Sequence, residues 1–174
     1  EHLEILFGPG AQLTKLKDLA QPGEFASEQT LSLIGPNRRM LPKVRILGPT
    51  RSATQAELSF TDGVYLGMDL PHRMSGDTKG SAPLTLVGPA GVLQLPEGAI
   101  RAMRHIHMNP QDAERLGVKN GQAVGVRTSG SAGVTFNNTV IRIKEGLHLQ
   151  MHVDTDEANA AGLASSNSIG EILI

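Results

Sequence analysis

The sequence predicts a mainly β protein built from two small β-barrels with short capping helices. Short stretches of alternating apolar and polar residues recur along the chain, and turn formers bound each of them. The 174 residues include 20 glycines and 10 prolines, which suits an architecture with many tight turns. A unit of strand, polar residue and capped helix also recurs, and this indicates an internal repeat.

Two similar halves meet near residue 102, so we predict one barrel over residues 1–102 and a second over residues 103–174. Residues 9–29 have weak periodicity and many turn formers. We expect them to form a hairpin that acts as a lid, or else a plain surface loop, outside the core. The N-terminal strand of the second barrel is expected upstream of Glu1. Ligands from both halves are expected to meet where the barrels join.

The individual strands follow from the alternation. In the first half it predicts strands at 31–36, 44–49, 84–89 and 92–95. Pro96 is expected to end the last of these, because proline cannot donate to a strand ladder. Residues 70–83 are expected to form a loop, and residues 100–107 lead into the second half. One strand is predicted behind the Asn120-Gly121 turn, up to Arg127, and the others cover 134–136, 139–143, 147–152 and 169–174.

The chain is organised around two histidines, His105 and His107, with one apolar residue between them. Residues i and i+2 of a strand point to the same face, so the two imidazoles are expected to converge. A helix signature follows directly, with Asn109 as N-cap, Pro110 at the first helical position and Gly117 after the last turn.

The same frame occurs three times. A polar residue stands ten positions before a glycine, an N-cap residue follows two positions later, and an acid follows the N-cap by three. The polar residues, N-caps and acids are Glu57, Ser59 and Asp62; His107, Asn109 and Asp112; and His152, Asp154 and Glu157. Residues 1–8 resemble the tail of a fourth unit, whose ligand pair would lie upstream of Glu1.

The polar residues of the frame are of metal-ligating types. Together with His105, the residues Glu57, His107 and His152 predict a metal site best suited to zinc, with cobalt, manganese and iron as alternatives. Each alone could be an ordinary polar residue at a strand end. Arg51 precedes Glu57 by six residues, and a planar guanidinium beside a metal is suited to hold a phosphate or carboxylate. A simple surface charge is the alternative for this arginine.

Composition excludes several classes of protein. The chain has no cysteine, so neither a disulfide framework nor thiolate chemistry is available. A net charge of −1 and only 3% aromatic residues argue against nucleic acid as a partner. No apolar run approaches the length of a membrane span, which is about 18 residues. We therefore expect a soluble intracellular protein.

Longer motifs resemble the PduL-type phosphate propanoyltransferases over essentially the whole chain. The matching stretches are Leu16-Lys-Asp-Leu, Gln21-Pro-Gly23, Arg51-Ser-Ala-Thr-Gln55-Ala-Glu57, Arg104-His-Ile-His-Met108, Leu116-Gly-Val-Lys-Asn-Gly121 and Met151-His-Val-Asp-Thr-Asp-Glu-Ala-Asn159. The resemblance implies two β-barrels with a two-zinc site between them, and acyl transfer between coenzyme A and inorganic phosphate. It also implies a homo-oligomer, with microcompartment shell or cargo proteins as partners. Members of this family work in bacterial microcompartments, including those of propanediol utilization.

The resemblance also assigns roles residue by residue. It implies that His105, His107 and His152 ligate zinc with Glu57 as a nearby carboxylate, and that Arg51 holds phosphate. Residues that match coenzyme A contacts are Lys17, Arg45, Leu47, His152 and Asn159. A further zinc-binding His-x-His pair of the family falls upstream of Glu1. We therefore expect the second zinc site to be incomplete in this chain.

The expected mechanism is metal-assisted, direct transfer without an acyl-enzyme, because the chain has no cysteine and no Ser-His-Asp signature. Two other classes remain open from the sequence. One is a metal-dependent hydrolase, in which water replaces phosphate as the nucleophile. The other is a β-barrel module that only binds ligands or partners.

Overall fold

A computed structural model describes residues 1–163 and 168–174. Within these residues the chain forms twelve strands in two sheets and four short helices, and one sheet is curled into a half-barrel. The mainly β prediction is confirmed. The chain divides into two compact units, unit 1 (Glu1–Arg101) and unit 2 (Ala102–Ile174). The helices are α1 (His2–Phe7), α2 (Phe60–Leu66), α3 (Pro110–Leu116) and α4 (Thr155–Ala160).

Seven strands form the sheet of unit 1. They are β1 (Lys15–Asp18), β2 (Phe25–Ile34), β3 (Met40–Gly48), β4 (Ala56–Glu57), β5 (His72–Arg73), β6 (Ala82–Val87) and β7 (Val92–Ala102). Strand β2 pairs with β3, with β1 near its start and with β6 near its end. Strand β7 then joins β6 to the short parallel strand β4. A leucine-rich core that includes Leu33, Leu66 and Leu84 lies beneath this sheet.

The stretch 9–29 differs from the predicted excursion in its last part. Strands β1 and β2 do form an antiparallel hairpin there. However, β2 begins at Phe25 and continues into the middle of the sheet, and Ala26 and Ser27 are buried. The reason is that Ala26 and Ser27 lie on a strand paired on both edges. A lid role for the hairpin stays a prediction.

The strand at residue 92 continues past Pro96, so the prediction that this proline ends it is wrong. Strand β7 runs from Val92 to Ala102, and its register with β6 shifts next to Pro96. Gly98 has φ 140° in the same segment. A β-bulge absorbs the missing N–H of a proline, and this local irregularity was not visible in the alternation.

Five strands form the sheet of unit 2, in the order β11-β8-β10-β9-β12. They are β8 (His105–Met108), β9 (Ala123–Thr128), β10 (Thr135–Ile143), β11 (Gln150–His152) and β12 (Gly170–Leu173). Strands β8 and β10 are parallel, and the other pairs are antiparallel. The two strands predicted at 134–136 and 139–143 are one strand whose register shifts between Phe136 and Thr139.

The three predicted helix starts are confirmed. Ser59, Asn109 and Asp154 all have extended backbones, and each side chain accepts the amide N–H of the acid three residues later. Helices α2 and α4 have complete capping boxes. In α3 the carboxylate of Asp112 accepts instead from Arg115 at 2.8 Å. Each helix therefore starts three residues after the polar residue of its frame, which is Glu57, His107 or His152.

Helix ends follow the prediction less uniformly. Gly67 and Gly117 cap α2 and α3 in the left-handed conformation, as a helix C-terminus favours. Helix α4 ends one residue earlier than expected, at Ala160, so Ala161 is its C-cap and Gly162 follows with φ 63°. Among the described residues, no helix has the length and apolar character needed to cross a membrane.

Candidate active site

Two neighbouring strands bring three histidines together in unit 2. His105 and His107 lie on β8, and His152 lies directly opposite His105 on β11. One ligand atom from each ring lies within 4.8 Å of the others, so the group could hold a metal ion. The ring centroids are 4.6 to 5.0 Å apart. The predicted convergence of these rings is therefore present in the structure.

The two faces of this sheet have opposite characters. Ile106 on β8 is paired with Ile141 on β10 and with Met151 on β11, and all three pack in the apolar core. The alternate residues point to the other face. That face carries the histidines, together with Gln150 on one side of His107 and Arg142 on the other.

Hydrogen bonding orients the ring of His105. Its Nδ1 lies 2.8 Å from the carbonyl oxygen of Met103. A carbonyl can only accept, so Nδ1 donates, and Nε2 is left to face the other two histidines. A histidine that ligates a metal commonly donates its other nitrogen in this way.

The other two rings have nitrogen atoms that fit a metal ligand. Nδ1 of His107 and Nε2 of His152 are buried, and neither has a hydrogen-bond partner among residues 1–163 and 168–174. An unsatisfied buried polar atom costs about 1–3 kcal/mol. Two such atoms in one cluster are unusual in a protein interior, and a bound metal would satisfy both. The residues present therefore fit a metal centre.

The environment keeps His107 and His152 neutral. Burial is the largest cause that lowers the pKa of His107 from 6.5 to about 4, and the charges of His152, His105 and Arg142 contribute to the same shift. Burial also lowers the pKa of His152 to about 4, with His105 and Arg142 as additional causes. A neutral imidazole is the form that binds a metal.

An ion pair ties the two histidine-bearing segments together. The guanidinium of Arg104, which precedes His105, pairs with the carboxylate of Glu157. The other oxygen of Glu157 accepts from the amide N–H of Asp154 at 3.1 Å and so caps α4. Arg104 is thus engaged away from the histidine cluster, and it links the start of β8 to the helix that follows His152.

Glu57 occupies the corresponding position of unit 1, at the end of β4. Its carboxylate is exposed and accepts a hydrogen bond from Nε2 of Gln55 at 2.6 Å. The same nitrogen donates to the hydroxyl of Ser75 at 3.0 Å, and the amide N–H of Gly76 donates to the Gln55 oxygen at 2.7 Å. Gln55 therefore orients Glu57 and anchors it to the loop at residues 74–77.

Arg51 also meets this loop. One terminal nitrogen lies 3.5 Å from the hydroxyl of Ser75, and the other lies 3.5 Å from a carboxylate oxygen of Glu24. More than half of the Arg51 side chain is exposed. Long contacts of this kind hold an exposed side chain weakly, so the guanidinium remains available for an anion.

Comparison with known proteins identifies the family. A family model described as phosphate propanoyltransferase matches residues 1–164. The chain belongs to the phosphate propanoyltransferase family. Phosphate propanoyltransferases are acyltransferase enzymes that use phosphate, which agrees with the family expected from the sequence motifs.

Relatives from distant bacteria support this membership. The phosphate propanoyltransferase of Planctopirus limnophila is 48% identical over 170 residues, which is 97% of this chain and 70% of the relative. That of Rhodobacter capsulatus is 50% identical over 161 residues, 92% of this chain and 74% of the relative. That of Salmonella typhimurium is 47% identical over 171 residues, 98% of this chain and 80% of the relative.

Three of the residues matched to coenzyme A contacts in this family lie on neighbouring strands of unit 1. Lys17 on β1 and Leu47 on β3 pair with the same residue of β2, Ala26, on its two edges. Arg45 lies two residues before Leu47 on β3. All three predicted side chains are exposed, and Leu47 is 59% accessible despite being apolar.

The other two matched residues lie in unit 2. His152 belongs to the histidine cluster, and the exposed Asn159 lies in the last turn of α4. Because His152 ends β11 and α4 begins three residues later, the two share one strand–helix unit.

Sequence reasoning missed two side chains beside the candidate groups. Gln55 was noted only as part of a motif, although its place two residues before Glu57 is the strand spacing that puts side chains on one face. Arg142 was noted only as part of a strand. No local signal reveals Arg142, because it meets His107 through the parallel pairing of β8 with β10, and these strands are far apart in sequence.

Proposed function

We propose that this chain transfers a short acyl group, propanoyl or a similar one, between coenzyme A and inorganic phosphate with the help of a bound metal ion. The observation that carries the metal assistance is the pair of buried, unpartnered nitrogen atoms on His107 and His152. Family membership supports the acyl transfer itself.

Zinc is the metal proposed for this site. Three neutral imidazoles are a common ligand set for catalytic zinc, which keeps a fourth position open for substrate. Glu57 is proposed as a further carboxylate at the reaction centre, since it has the position in its strand–helix unit that His107 and His152 have in theirs. The family resemblance supports two zinc ions. When bound, a metal ion supplies Lewis-acid polarisation of the thioester carbonyl and stabilises the departing thiolate.

The chain's own residues supply binding and orientation. Arg51 holds the oxyanion of phosphate, because a planar guanidinium matches two phosphate oxygens. Gln55 keeps the carboxylate of Glu57 in one orientation. A phosphate oxygen then attacks the carbonyl carbon of the thioester, the C–O bond forms and the C–S bond breaks. The thiolate of coenzyme A leaves with the electron pair, and no acyl-enzyme is needed.

Lys17, Arg45 and Leu47 are proposed to bind coenzyme A. The phosphate groups of coenzyme A are anionic, and its remaining parts offer apolar surface. Two cations beside an exposed leucine on neighbouring strands match both properties. Arg45 already donates to the backbone oxygen of Ser27 at 2.5 Å, which fixes the direction of its guanidinium. His152 and Asn159 are proposed as the contacts from unit 2.

The test is phosphate-dependent cleavage of propanoyl-CoA by the zinc-loaded protein, with the product analysed by ³¹P NMR. We expect propanoyl phosphate and free coenzyme A in equal amounts, and no turnover without phosphate. Release of propanoate without phosphate would identify a hydrolase instead. If the protein neither turns over propanoyl-CoA nor binds zinc, it is a β-barrel module that only binds ligands or partners. The hydrolase result and the module result would each refute the proposal.

The resemblance also supports a place in the cytoplasm or in the lumen of a bacterial microcompartment, as a homo-oligomer, with shell or cargo proteins as partners. Co-purification of the native protein with isolated microcompartments would test the location. Recovery of all activity outside that fraction would contradict the lumen.

A further inference from the structure

Strand β10 carries a charged side chain directly beside the histidine cluster. In the parallel pairing of β8 and β10, Arg142 lies opposite His107. Neighbouring strands are about 5 Å apart, and paired residues point to the same face. Gln150 is the partner of His107 on the other side. Arg142 therefore belongs to the histidine face of the sheet and not to the apolar face.

The guanidinium of Arg142 has no hydrogen-bond acceptor and no carboxylate partner among residues 1–163 and 168–174, although its side chain is partly buried. Other arginines of the described chain do have acidic partners; they are Arg51, Arg73, Arg104, Arg115 and Arg127. The charge of Arg142 instead acts on the cluster, since it lowers the pKa of both His107 and His152. A partly buried cation thus shares one face of the sheet with the histidine cluster.

This arrangement is poorly suited to a metal ion alone. The three histidines bring no negative charge, so a divalent ion and the nearby guanidinium would carry three positive charges that no ligand from unit 2 compensates. Repulsion between them is strengthened by partial burial. An anion placed at the open position of the metal would contact both cations and relieve the repulsion. A phosphoryl group fits best, because a guanidinium donates two parallel hydrogen bonds to its oxygens.

We propose that Arg142 binds a phosphoryl oxyanion at the histidine cluster, so that metal and phosphate bind unit 2 cooperatively. The inference rests on the proposed function and deepens it, because it assigns the phosphoryl group an arginine partner in unit 2, which carries the histidines. Binding of either ligand then tightens binding of the other by the same factor, because coupling is reciprocal.

The experiment measures zinc affinity by competition with a chelator, with and without inorganic phosphate, in wild type and Arg142→Gln. In wild type we expect phosphate to tighten zinc binding by about 5–150-fold, the usual range of coupling between two ligands. In Arg142→Gln we expect tighter zinc binding than in wild type when phosphate is absent, because a repelling charge is gone. The factor by which phosphate tightens zinc binding, called the phosphate-dependent gain below, should fall at least about fivefold in this variant.

Arg127→Gln is the matched control. It removes the same charge from the same sheet, but Arg127 lies on β9 and pairs with Glu171. Its zinc affinity and phosphate gain should equal those of wild type. Arg142→Lys keeps the charge without the planar fork, so we expect an intermediate gain. If Arg142→Gln does not fold, as judged by circular dichroism, the lysine variant decides: a gain equal to that of wild type overturns the proposal.

A phosphoryl group could come from inorganic phosphate or from coenzyme A. A second arm therefore uses desulfo-coenzyme A, which keeps the phosphates but has no thiolate. If Arg142→Gln loses the increase in zinc affinity that phosphate causes, but keeps the one that desulfo-coenzyme A causes, Arg142 binds the phosphate substrate. If it loses only the increase that desulfo-coenzyme A causes, Arg142 binds a phosphate group of the coenzyme. Equal gains in wild type and Arg142→Gln for both ligands, or no gain in wild type, overturn the inference.

Failure of this inference is distinguishable from failure of the proposed function. If wild type makes propanoyl phosphate while Arg142→Gln keeps its full gain, only the role of Arg142 is rejected. If no acyl phosphate forms but the gain depends on Arg142, the oxyanion site stands without the transferase activity.

Discussion

The strand–helix unit around Glu57 and the two around His107 and His152 share one local design but differ in what surrounds the polar residue. Glu57 is exposed, and its carboxylate accepts a hydrogen bond from Gln55. His107 and His152 each bury a nitrogen that has no partner in the described chain. The repeated strand–helix sequence therefore places a polar side chain at a strand end. Whether that side chain needs a ligand to satisfy its polar atoms depends on how deeply it is buried.

The difference has an energetic meaning. An exposed, hydrogen-bonded carboxylate is stable without any ligand, so the absence of a ligand at Glu57 does not destabilise unit 1. A buried, unpartnered nitrogen destabilises the protein until a ligand arrives. Unit 2 is thus the part where ligand binding and stability are coupled.

The largest expected effect on activity comes from removing a histidine of the cluster. His107→Ala removes one of the nitrogen atoms that lack a partner, so zinc binding and acyl transfer should both fall. Removing a residue that only supports a metal ligand lowers metal affinity or activity about 10–100-fold. Because His107 is proposed as a ligand itself, we expect zinc affinity and activity to fall more than about 100-fold. Zinc titration and the phosphate-dependent assay measure it.

His148→Ala is the control for this change, because His148 is an exposed histidine of the same unit outside the cluster. It should behave as wild type. Undiminished zinc binding by His107→Ala would contradict the conclusion that the buried nitrogen of His107, unlike the exposed carboxylate of Glu57, requires a ligand.

Arg51→Ala tests the oxyanion role of unit 1. Hydrogen bonds to charged groups are worth about 1.5–3 kcal/mol, which corresponds to about a 10–150-fold loss in kcat/KM for phosphate. The KM for propanoyl-CoA should stay unchanged. Arg73→Ala, which removes an arginine paired with Asp77 in the same unit, should leave both constants unchanged. An equal loss for both substrates would argue against a phosphate contact.

Gln55→Glu tests whether Glu57 needs its supporting amide. The substitution replaces a donor 2.6 Å from the Glu57 carboxylate with a second carboxylate, which repels it. We expect about a tenfold lower kcat, the lower end for supporting groups of this kind. Zinc binding by the histidines should be retained.

Gln94→Glu adds the same charge at an exposed position of β7 and serves as the control. If Gln55→Glu and Gln94→Glu have equal kcat, the hydrogen bond to Glu57 has no function in the reaction.

The last expected effect concerns stability and not activity: a pH dependence of stability in the metal-free protein. The pKa values of His107 and His152 are about 4 in the folded state and near 6.5 when the chain unfolds. Between these values the unfolded state binds more protons, so the free energy of unfolding should decrease as the pH falls from about 6.5 towards 4. Urea unfolding at several pH values, with a chelator present, measures the slope.

His107→Gln should flatten this slope, because one of the two groups no longer titrates. A slope that is the same in His107→Gln and wild type would mean that burial of this ring does not control stability in the acid range.

Local chemistry made much of the site predictable. Two histidines separated by one apolar residue had to share a face once the stretch formed a strand. Asn109 and Pro110 then ended the strand and started α3, since their side chains favour those positions. The same reasoning placed the polar residue of each unit at a strand end.

Non-local pairing accounts for what the sequence left open. Pro96 was expected to end a strand, but pairing of β7 with β6 continues around a bulge. The position of Arg142 beside His107 depends on β10 lying next to β8, although the residues between them form α3 and β9.

By itself, the sequence determined which side chains stand at strand ends and which helices follow them, because capping and strand alternation act over only a few residues. Only the tertiary structure decided that β11 lies against β8, that two imidazole nitrogens are buried without partners, and that a guanidinium faces them. Those outcomes depend on strand pairing and burial, which are set by contacts between segments distant in the chain and leave no local pattern.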